Sequence, residues 1–351
     1  MIKRPISLSI VIANYNYAEY VGQAIESALA VDWPDVEVVV VDDGSTDGSR
    51  SVIEQYGDRV VAIFQANAGQ IAARNVGFAR CCGEAVILLD SDDLLHPSIM
   101  REAAAVWHPG VSKVQFRMRT IDGEGRPTGS NFPQYSIVPT PAQLRSWAVA
   151  TGSYPTPPCS GNIFSRACLE AIFPLDDYCG KAPDTSCIAA APFLGEVFTI
   201  PKALVDYRVH GRNADAVSQL DTDRFGRQTT DAIRRFEYAQ RTARKVGIEV
   251  PDRGKHLSYP QLRFRVASFR LARTRHPIAG DTTTKILMDA IRAAMTPQGI
   301  RPMSALVTLA WALLVLIAPR PIAESLVHWR LSPRDRPKVL RKVLSATGVM
   351  R

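Results

Sequence analysis

Carboxylates gather twice in the N-terminal part of this chain, each time at the end of a short apolar run. Val38, Val39, Val40 and Val41 lead into Asp42, Asp43, Gly44, Ser45, Thr46 and Asp47. Val86, Ile87, Leu88 and Leu89 lead into Asp90, Ser91, Asp92 and Asp93. Carboxylates packed this closely repel one another and raise each other's pKa unless a cation or a set of donors compensates. A divalent metal carrying a phosphate ligand is the economical explanation, because hard cations take oxygen ligands and bridge to phosphates.

The elements that would carry these clusters alternate. Ile6 to Ala13 reads as a strand that turns at Asn14, Tyr15 and Asn16, and Val21, Ala24, Ile25, Ala28 and Leu29 lie at helical spacing behind it. A second strand over Glu37 to Val41, a helix over Asp47 to Tyr56, a third strand over Val60 to Phe64, a helix over Ile71 to Arg80 and a fourth strand over Ala85 to Leu89 complete the series. Unbroken β-branched and aliphatic runs suit strands buried on both faces of a parallel sheet. Strand and helix in alternation predict a doubly wound α/β sheet with right-handed crossovers. Both acidic clusters then fall beyond carboxyl ends of strands, where open α/β sheets bind ligands.

After Pro97 the pattern changes. Ile99 to Val106 reads as a helix and Lys113 to Ile121 as a strand, and residues 122 to 161 read as a long adaptable loop region around one helical piece near Leu144 to Val149. Cys168 to Ile172 and Thr185 to Leu194 read as helices, Val197 to Tyr207 as a strand, and from Asp223 the period is helical with breaks near Pro251, Pro277 and Pro297.

Four segments in order, SIVIANYN from Ser9 to Asn16, VVVVDDGSTDGS from Val38 to Ser49, NAGQIAARNVG from Asn67 to Gly77 and LLDSDD from Leu88 to Asp93, resemble the family 2 inverting glycosyltransferases. The resemblance covers about the first 210 residues. It implies a GT-A fold, a Rossmann-like, mixed, mostly parallel sheet with flanking helices, over 1–215, with nucleotide-sugar binding in 1–98 and an acceptor region in 99–215. A basic α-helical region, 216–351, would follow. By the same resemblance Asp42 and Asp43 accept hydrogen bonds from the nucleobase and ribose, and Ala13, Asn14 and the Tyr15 ring lie against the nucleotide. Arg74 faces the phosphates. Asp90-Ser91-Asp92 corresponds to the Asp-X-Asp motif, with Asp92 on a Mg²⁺ or Mn²⁺ ion and Asp90 and Ser91 nearer the ribose. The family's general base follows a Glu, whereas here Lys181-Ala182-Pro183-Asp184-Thr185 keeps only the Asp. Asp184 is assigned as base, with Asp176 and Asp177 as rivals, and it also suits the N-cap of a helix starting near Thr185. Tyr207, Arg208, His210, Gly211 and Asn213 match a tail motif in which His210 ligates the metal or touches the diphosphate.

The implied reaction is transfer of a sugar, from a UDP-sugar before other nucleoside-diphosphate sugars, to an acceptor hydroxyl in cell-envelope or exopolysaccharide glycan synthesis. A glycan or lipid-linked saccharide would be the acceptor. Alternatives are a family member reduced to nucleotide-sugar binding or scaffolding, and a nucleotidyltransferase, although SIVIANYN lacks the Gly-rich, basic loop of the latter. A signalling receiver domain needs about a third of this length.

Charge is divided unevenly along the chain. Residues 1 to 221 hold 17 Lys and Arg against 25 Asp and Glu, and residues 222 to 351 hold 25 against 9, so a net −8 precedes a net +16. A basic region behind an acidic one suits an anionic surface, and the expected one is a membrane rather than nucleic acid. Ala305 to Ala318, 14 nearly all apolar residues between Arg301 and Arg320, is shorter than the roughly 20 residues of a spanning helix. It reads either as a core helix or as a helix lying in an anionic leaflet, with Arg330, Arg334, Arg336, Lys338, Arg341 and Lys342 downstream. The six cysteines show no two-residue metal or redox spacing and read as reduced thiols. The N-terminus enters a strand pattern with no signal-peptide core, so the expected place is the cytoplasm, peripheral on the inner face of the plasma membrane.

Overall fold

The computed structural model describes residues 6–135, 137–180, 182, 184–211, 221–299, 301–332 and 336–337. Lys181, Pro183, Asn213, Arg334, Lys338, Arg341 and Lys342 lie outside the described residues. The chain divides into two compact units, residues 1–145, 156–210 and 245–248 in the first and 146–155, 211–244 and 249–351 in the second.

The first unit is built on one nine-stranded sheet of β1 (Leu8–Asn14), β2 (Val36–Asp42), β3 (Val61–Phe64), β4 (Ala85–Asp90), β5 (Leu94–Leu95), β6 (Val111–Ile121), β7 (Pro127–Phe132), β8 (Asn162–Ser165) and β9 (Glu196–Arg208), in the order β3-β2-β1-β4-β8-β6-β9-β5 with β7 on β6. β1 to β4 pair in parallel, and the runs Val38 to Val41 and Val86 to Leu89 are buried throughout. β8 runs antiparallel to β4 and β6, β5 antiparallel to β9, and β6 parallel to β9, so the sheet is mixed. Helices α1 (Ala18–Leu29), α2 (Ser49–Glu54), α3 (Gln70–Arg80), α4 (Ile99–Ala104), α5 (Pro141–Thr151), α6 (Arg166–Glu170) and α7 (Thr185–Leu194) follow the expected series. α1 buries the stripe Val21, Ala24, Ile25 and Ala28. α3 approaches β1 closely because Gly77 has no side chain: a Cβ there would stand 2.3 Å from Val11 Cγ1.

Parallel register decides where the chemistry falls. Asn14 is opposite Asp42 and Ala13 is opposite Asp90, so the two acidic clusters end on either side of β1 at one edge of the sheet.

Residues 122–161 are more ordered than a long loop. β7 pairs with β6 as a hairpin and α5 spans eleven residues. β7 is polar and mostly exposed along its length, so it pairs through its backbone without any apolar alternation to announce it. β5 and β8 are too short, at two and four residues, for periodicity to show. All six cysteines are free.

The second unit is helical, with α8 (Thr222–Lys245), α9 (Tyr259–Leu271), α10 (Thr283–Met295), α11 (Pro302–Ile317) and α12 (Arg320–Leu331). Phe225, Leu262, Val266, Ile286, Trp311, Val315 and Val327 meet in its core. Inside it Arg265 pairs bidentately with Asp281 at 2.7 and 2.6 Å and reaches Asp289 at 2.9 Å, and His276 Nε2 lies 3.0 Å from Asp281. Among the described residues no helix is long and apolar enough to cross a membrane.

Burial alone would raise the Asp281 carboxyl, but Arg265 and His276 outweigh it and hold it well below the usual range. Stability from such a depressed carboxyl is present above its unfolded pKa of about 3.9 and is lost as pH falls below that. Arg265→Ala should therefore cost about 3–5 kcal/mol at pH 7 in urea unfolding, and the deficit should shrink below about pH 4 as Asp281 takes up a proton.

Candidate active site

The first acidic cluster is tied into the scaffold. Asn14 Nδ2 donates to Asp42 Oδ1 at 2.8 Å, and the Ser45 amide and hydroxyl donate to Asp42 at 3.1 and 2.5 Å. Asn16, at φ +58, accepts the Thr46 amide on Oδ1 at 2.7 Å, a left-handed conformation that Asn tolerates well. Asp43 Oδ1 accepts from Gln65 Nε2 at 2.6 Å and from the Ala68 amide at 2.9 Å, and Oδ2 accepts the Gly69 amide at 2.8 Å. Both carboxylates are buried. Asp43 anchors the loop that leads into α3, and a carboxylate with about four acceptor positions still has capacity at Asp43 Oδ2. Gly44 makes this fold-back feasible: its φ is +73, and a Cβ there would lie 2.6 Å from the Asn67 amide nitrogen. Tyr15 stands exposed beside the cluster, while Asn14 is buried and Ala13 half-buried.

The second cluster is held by the end of β9. Arg208, fully buried, donates from Nε to the Asp92 carbonyl at 2.9 Å, from Nη1 to the Gly123 carbonyl at 2.8 Å and from Nη2 to Gln23 Oε1 at 2.8 Å. Its amide donates to Asp93 Oδ1 at 3.0 Å, and its guanidinium lies 4.9 Å from the Tyr20 ring. His210 stacks on the same ring at 4.9 Å and brings Nε2 to 3.0 Å from Asp92 Oδ2. Burial raises the Asp92 carboxyl above its ordinary value and the charge of Asp90 adds to this, while His210 pulls the other way. Asp93 is raised well above that value by burial and by Asp92 and Asp90.

This arrangement fits a divalent ion. Asp92 Oδ2 and His210 Nε2 lie 3.0 Å apart, and Asp90 adds negative charge that acts on Asp92. Among the described residues no three His, Cys, Asp or Glu side chains are grouped to hold a metal. An ion here would complete its shell with phosphate oxygens and water, the usual habit of Mg²⁺.

Arg74 of α3 is buried against this cluster. It is 2% exposed, Nη2 bonds Asp90 Oδ1, and Nε and Nη1 find no partner among the described residues. Burial opposes its charge, but the neighbouring acidic groups Cys159, Asp90 and Asp184 outweigh it and raise its pKa. Asp184 stands at the N-cap position of α7 without a side-chain capping bond. Asp176 and Asp177 are exposed, and Asp176 accepts the Tyr178 amide in a local turn. Ser91 is buried at the start of the turn after β4.

Residues 9–173 match the family described as glycosyl transferase family 2. A Nostoc sp. protein described as an uncharacterized glycosyltransferase is 38% identical over 218 residues, 59% of this chain and 66% of its own length. Residues 9–173 form a glycosyl transferase family 2 region. Chondroitin synthase of Escherichia coli is 35% identical over 142 residues, 38% of this chain and 21% of that protein. The alignments thus span just under two thirds of the Nostoc protein and about a fifth of the synthase. Staphylococcus aureus TarS 1–349, crystallised with UDP-GlcNAc, superposes with a TM-score of 0.55 at 17% identity over 93% of this chain and 92% of that one. A likeness at that identity speaks for the fold, and the mixed, mostly parallel sheet with flanking helices is the GT-A arrangement.

Sequence reasoning passed over Arg208 as a clamp, Tyr20 as the plate under His210, and Lys113. Arg208 sits inside the recognised tail motif, so only its burial was hidden. Lys113 gave no signal, because a lysine on a strand normally points to water. Here it is fully buried, with Nζ donating to Thr156 Oγ1 at 2.7 Å and to Gln115 Oε1 at 3.0 Å, and burial pushes its pKa down to about 7 against the opposing pull of Asp184 and nearby thiols. The unfolded chain then holds the extra proton between about pH 7 and about 10.4, so stability rises with pH across that window. Lys113→Met should compare best with wild type below pH 7 and lose ground toward pH 10, measured by urea unfolding over that range.

Proposed function

We propose that the chain is a metal-dependent inverting glycosyltransferase that moves a sugar from a nucleoside-diphosphate sugar, a UDP-sugar first among them, to a hydroxyl of a glycan or lipid-linked saccharide. The observation that carries this reading is the meeting of Asp90, Asp92, His210 and Arg74 at the strand ends, with Asp184 among the charges that act on Arg74.

Tyr15 offers an exposed ring for the nucleobase, and Ala13, Asn14, Asp42 and Asp43 form the wall beside it. Asp90 and Ser91 line the turn toward the ribose. Asp184 takes the proton of the acceptor hydroxyl as that oxygen bonds the anomeric carbon, and the carbon–oxygen bond to the diphosphate breaks on the opposite face. Arg74 supplies fixed positive charge and two unspent donors beside the departing group. A Mg²⁺ or Mn²⁺ ion held by Asp92 and His210 would supply Lewis-acid stabilisation of the leaving diphosphate. The product belongs to cell-envelope or exopolysaccharide glycan, made at the cytoplasmic face of the membrane.

A thermal-shift panel of UDP, GDP and dTDP sugars with and without Mn²⁺ tests the donor site. One nucleotide series should raise Tm with Mn²⁺, and Asp92→Asn should remove the Mn²⁺-dependent part of the shift. Turnover tests the base: Asp184→Asn should lower kcat by about 10²–10⁴-fold while the donor still shifts Tm. Unchanged turnover removes Asp184 from that role, and wild type inactive with every donor that binds favours a binding protein instead.

A further inference from the structure

Helix α11 is apolar on two sides. Its sixteen residues carry no charge, and a helix of that composition is normally enclosed on all faces. One side is: Trp311, Ala312, Val315 and Leu316 close onto the core of the second unit. The other side is open. Met303, Leu306, Ala310, Leu313, Leu314 and Ile317 recur at helical spacing and are exposed, Leu306 by 57% and Ile317 by 64%, over a length of about 21 Å. Neighbouring α10, which packs on α11, shows a second exposed stripe of Met288, Ile291 and Met295. Soluble surfaces seldom keep contiguous apolar patches of this size without a partner.

The charges around the stripes identify the partner. Arg301 precedes α11, Arg320 follows it, and Lys285 and Arg292 are exposed on α10. Carboxylates meet three of these cations, Lys285 lying 3.9 Å from Asp281, Arg292 3.4 Å from Asp289 and Arg320 3.0 Å from Glu324, yet residues 283–332 still hold five Lys and Arg against two Asp and Glu. A second copy fits poorly, because antiparallel pairing of α11 about a two-fold axis would set Arg301 of one copy against Arg320 of the other. Apolar residues framed by cations are the pattern of a helix lying in the interface of an anionic leaflet.

We propose that the outer face of α11, with the exposed stripe of α10, docks the protein on an anionic lipid bilayer. The residues enter only to the depth of the acyl boundary, and the flanking cations meet headgroup phosphates. The docking requires neither donor nor turnover, so it stands or falls apart from the proposed reaction.

Cosedimentation of the full-length chain with vesicles tests it. Wild type should pellet with phosphatidylglycerol–phosphatidylcholine vesicles and stay in solution with phosphatidylcholine alone. Leu306→Gln/Leu313→Gln/Ile317→Gln should lower the partition by about tenfold or more at unchanged Tm, since these side chains leave the core intact. Arg301→Gln/Arg320→Gln, which touches no apolar residue, should weaken binding and flatten its salt dependence. Wild type remaining in the supernatant with anionic vesicles overturns the proposal. So does a triple variant that binds as well as wild type, which would place the contact elsewhere. A wild-type dimer in light scattering that the triple variant abolishes, without vesicle binding, assigns the face to a second copy.

Discussion

Parallel pairing of β1 with β2 and β4 crowds Asp42, Asp43, Asp90, Asp92 and Asp93 onto one edge of a sheet, and the rest of the first unit is arranged around that concentration of negative charge. The two halves of the edge resolve it differently. Asp42 and Asp43 are met by neutral donors, the amides of Ser45, Ala68 and Gly69 and the side chains of Asn14 and Gln65. Neutral donors satisfy a carboxylate without adding charge, so this half carries its negative charge with hydrogen bonds alone. Asp90 and Asp92 are met by Arg74 and His210, and Asp93 by the Arg208 amide. Burial and mutual repulsion still raise Asp92 and Asp93. The second half therefore retains an electrostatic demand that a ligand-borne cation can meet.

Arg208 shows how the fold keeps that demand in place. Its three guanidinium bonds reach the turn after β4, the turn after β6 and helix α1, and it shares the Tyr20 ring with His210. A flexible tail bearing a lone histidine would seldom hold it within reach of Asp92. A buried arginine two residues upstream, with every direction of its fork occupied, removes that freedom. The cost of burying Arg208 is offset by these hydrogen bonds, which leave little reason for the side chain to leave.

Much of this was readable from the chain, and the remainder was hidden for identifiable reasons. The parallel core and its helices announced themselves, because Val38–Val41 and Val86–Leu89 are unbroken apolar runs closed by turn residues. The hairpin strand β7 did not, since an exposed edge strand is held by backbone bonds that leave no mark on side-chain pattern. Asp42 and Asp43 were visible as chemistry, but the three-way anchoring of the Gln65–Gly69 loop by Asp43 depends on that loop folding back, which Gly44 at φ +73 permits. Lys113 shows the limit of local inference: its burial results from the pairing of β6 with both β8 and β9.

α11 had been ambiguous between a core helix and one lying in a membrane, and the structure shows why its sequence supports both. The second unit closes its core with one side of the helix, through Trp311 and Val315, and its polar interior is fastened independently by Arg265, Asp281 and Asp289. The outer residues of α11 therefore contribute little to holding the unit together. Were they present only for packing, polar residues at Leu306, Leu313 and Ile317 would serve equally well and would lower the tendency to associate. An apolar outer face on a unit that is already complete, with cations at both ends of the helix, is a surface suited to contact with something other than water.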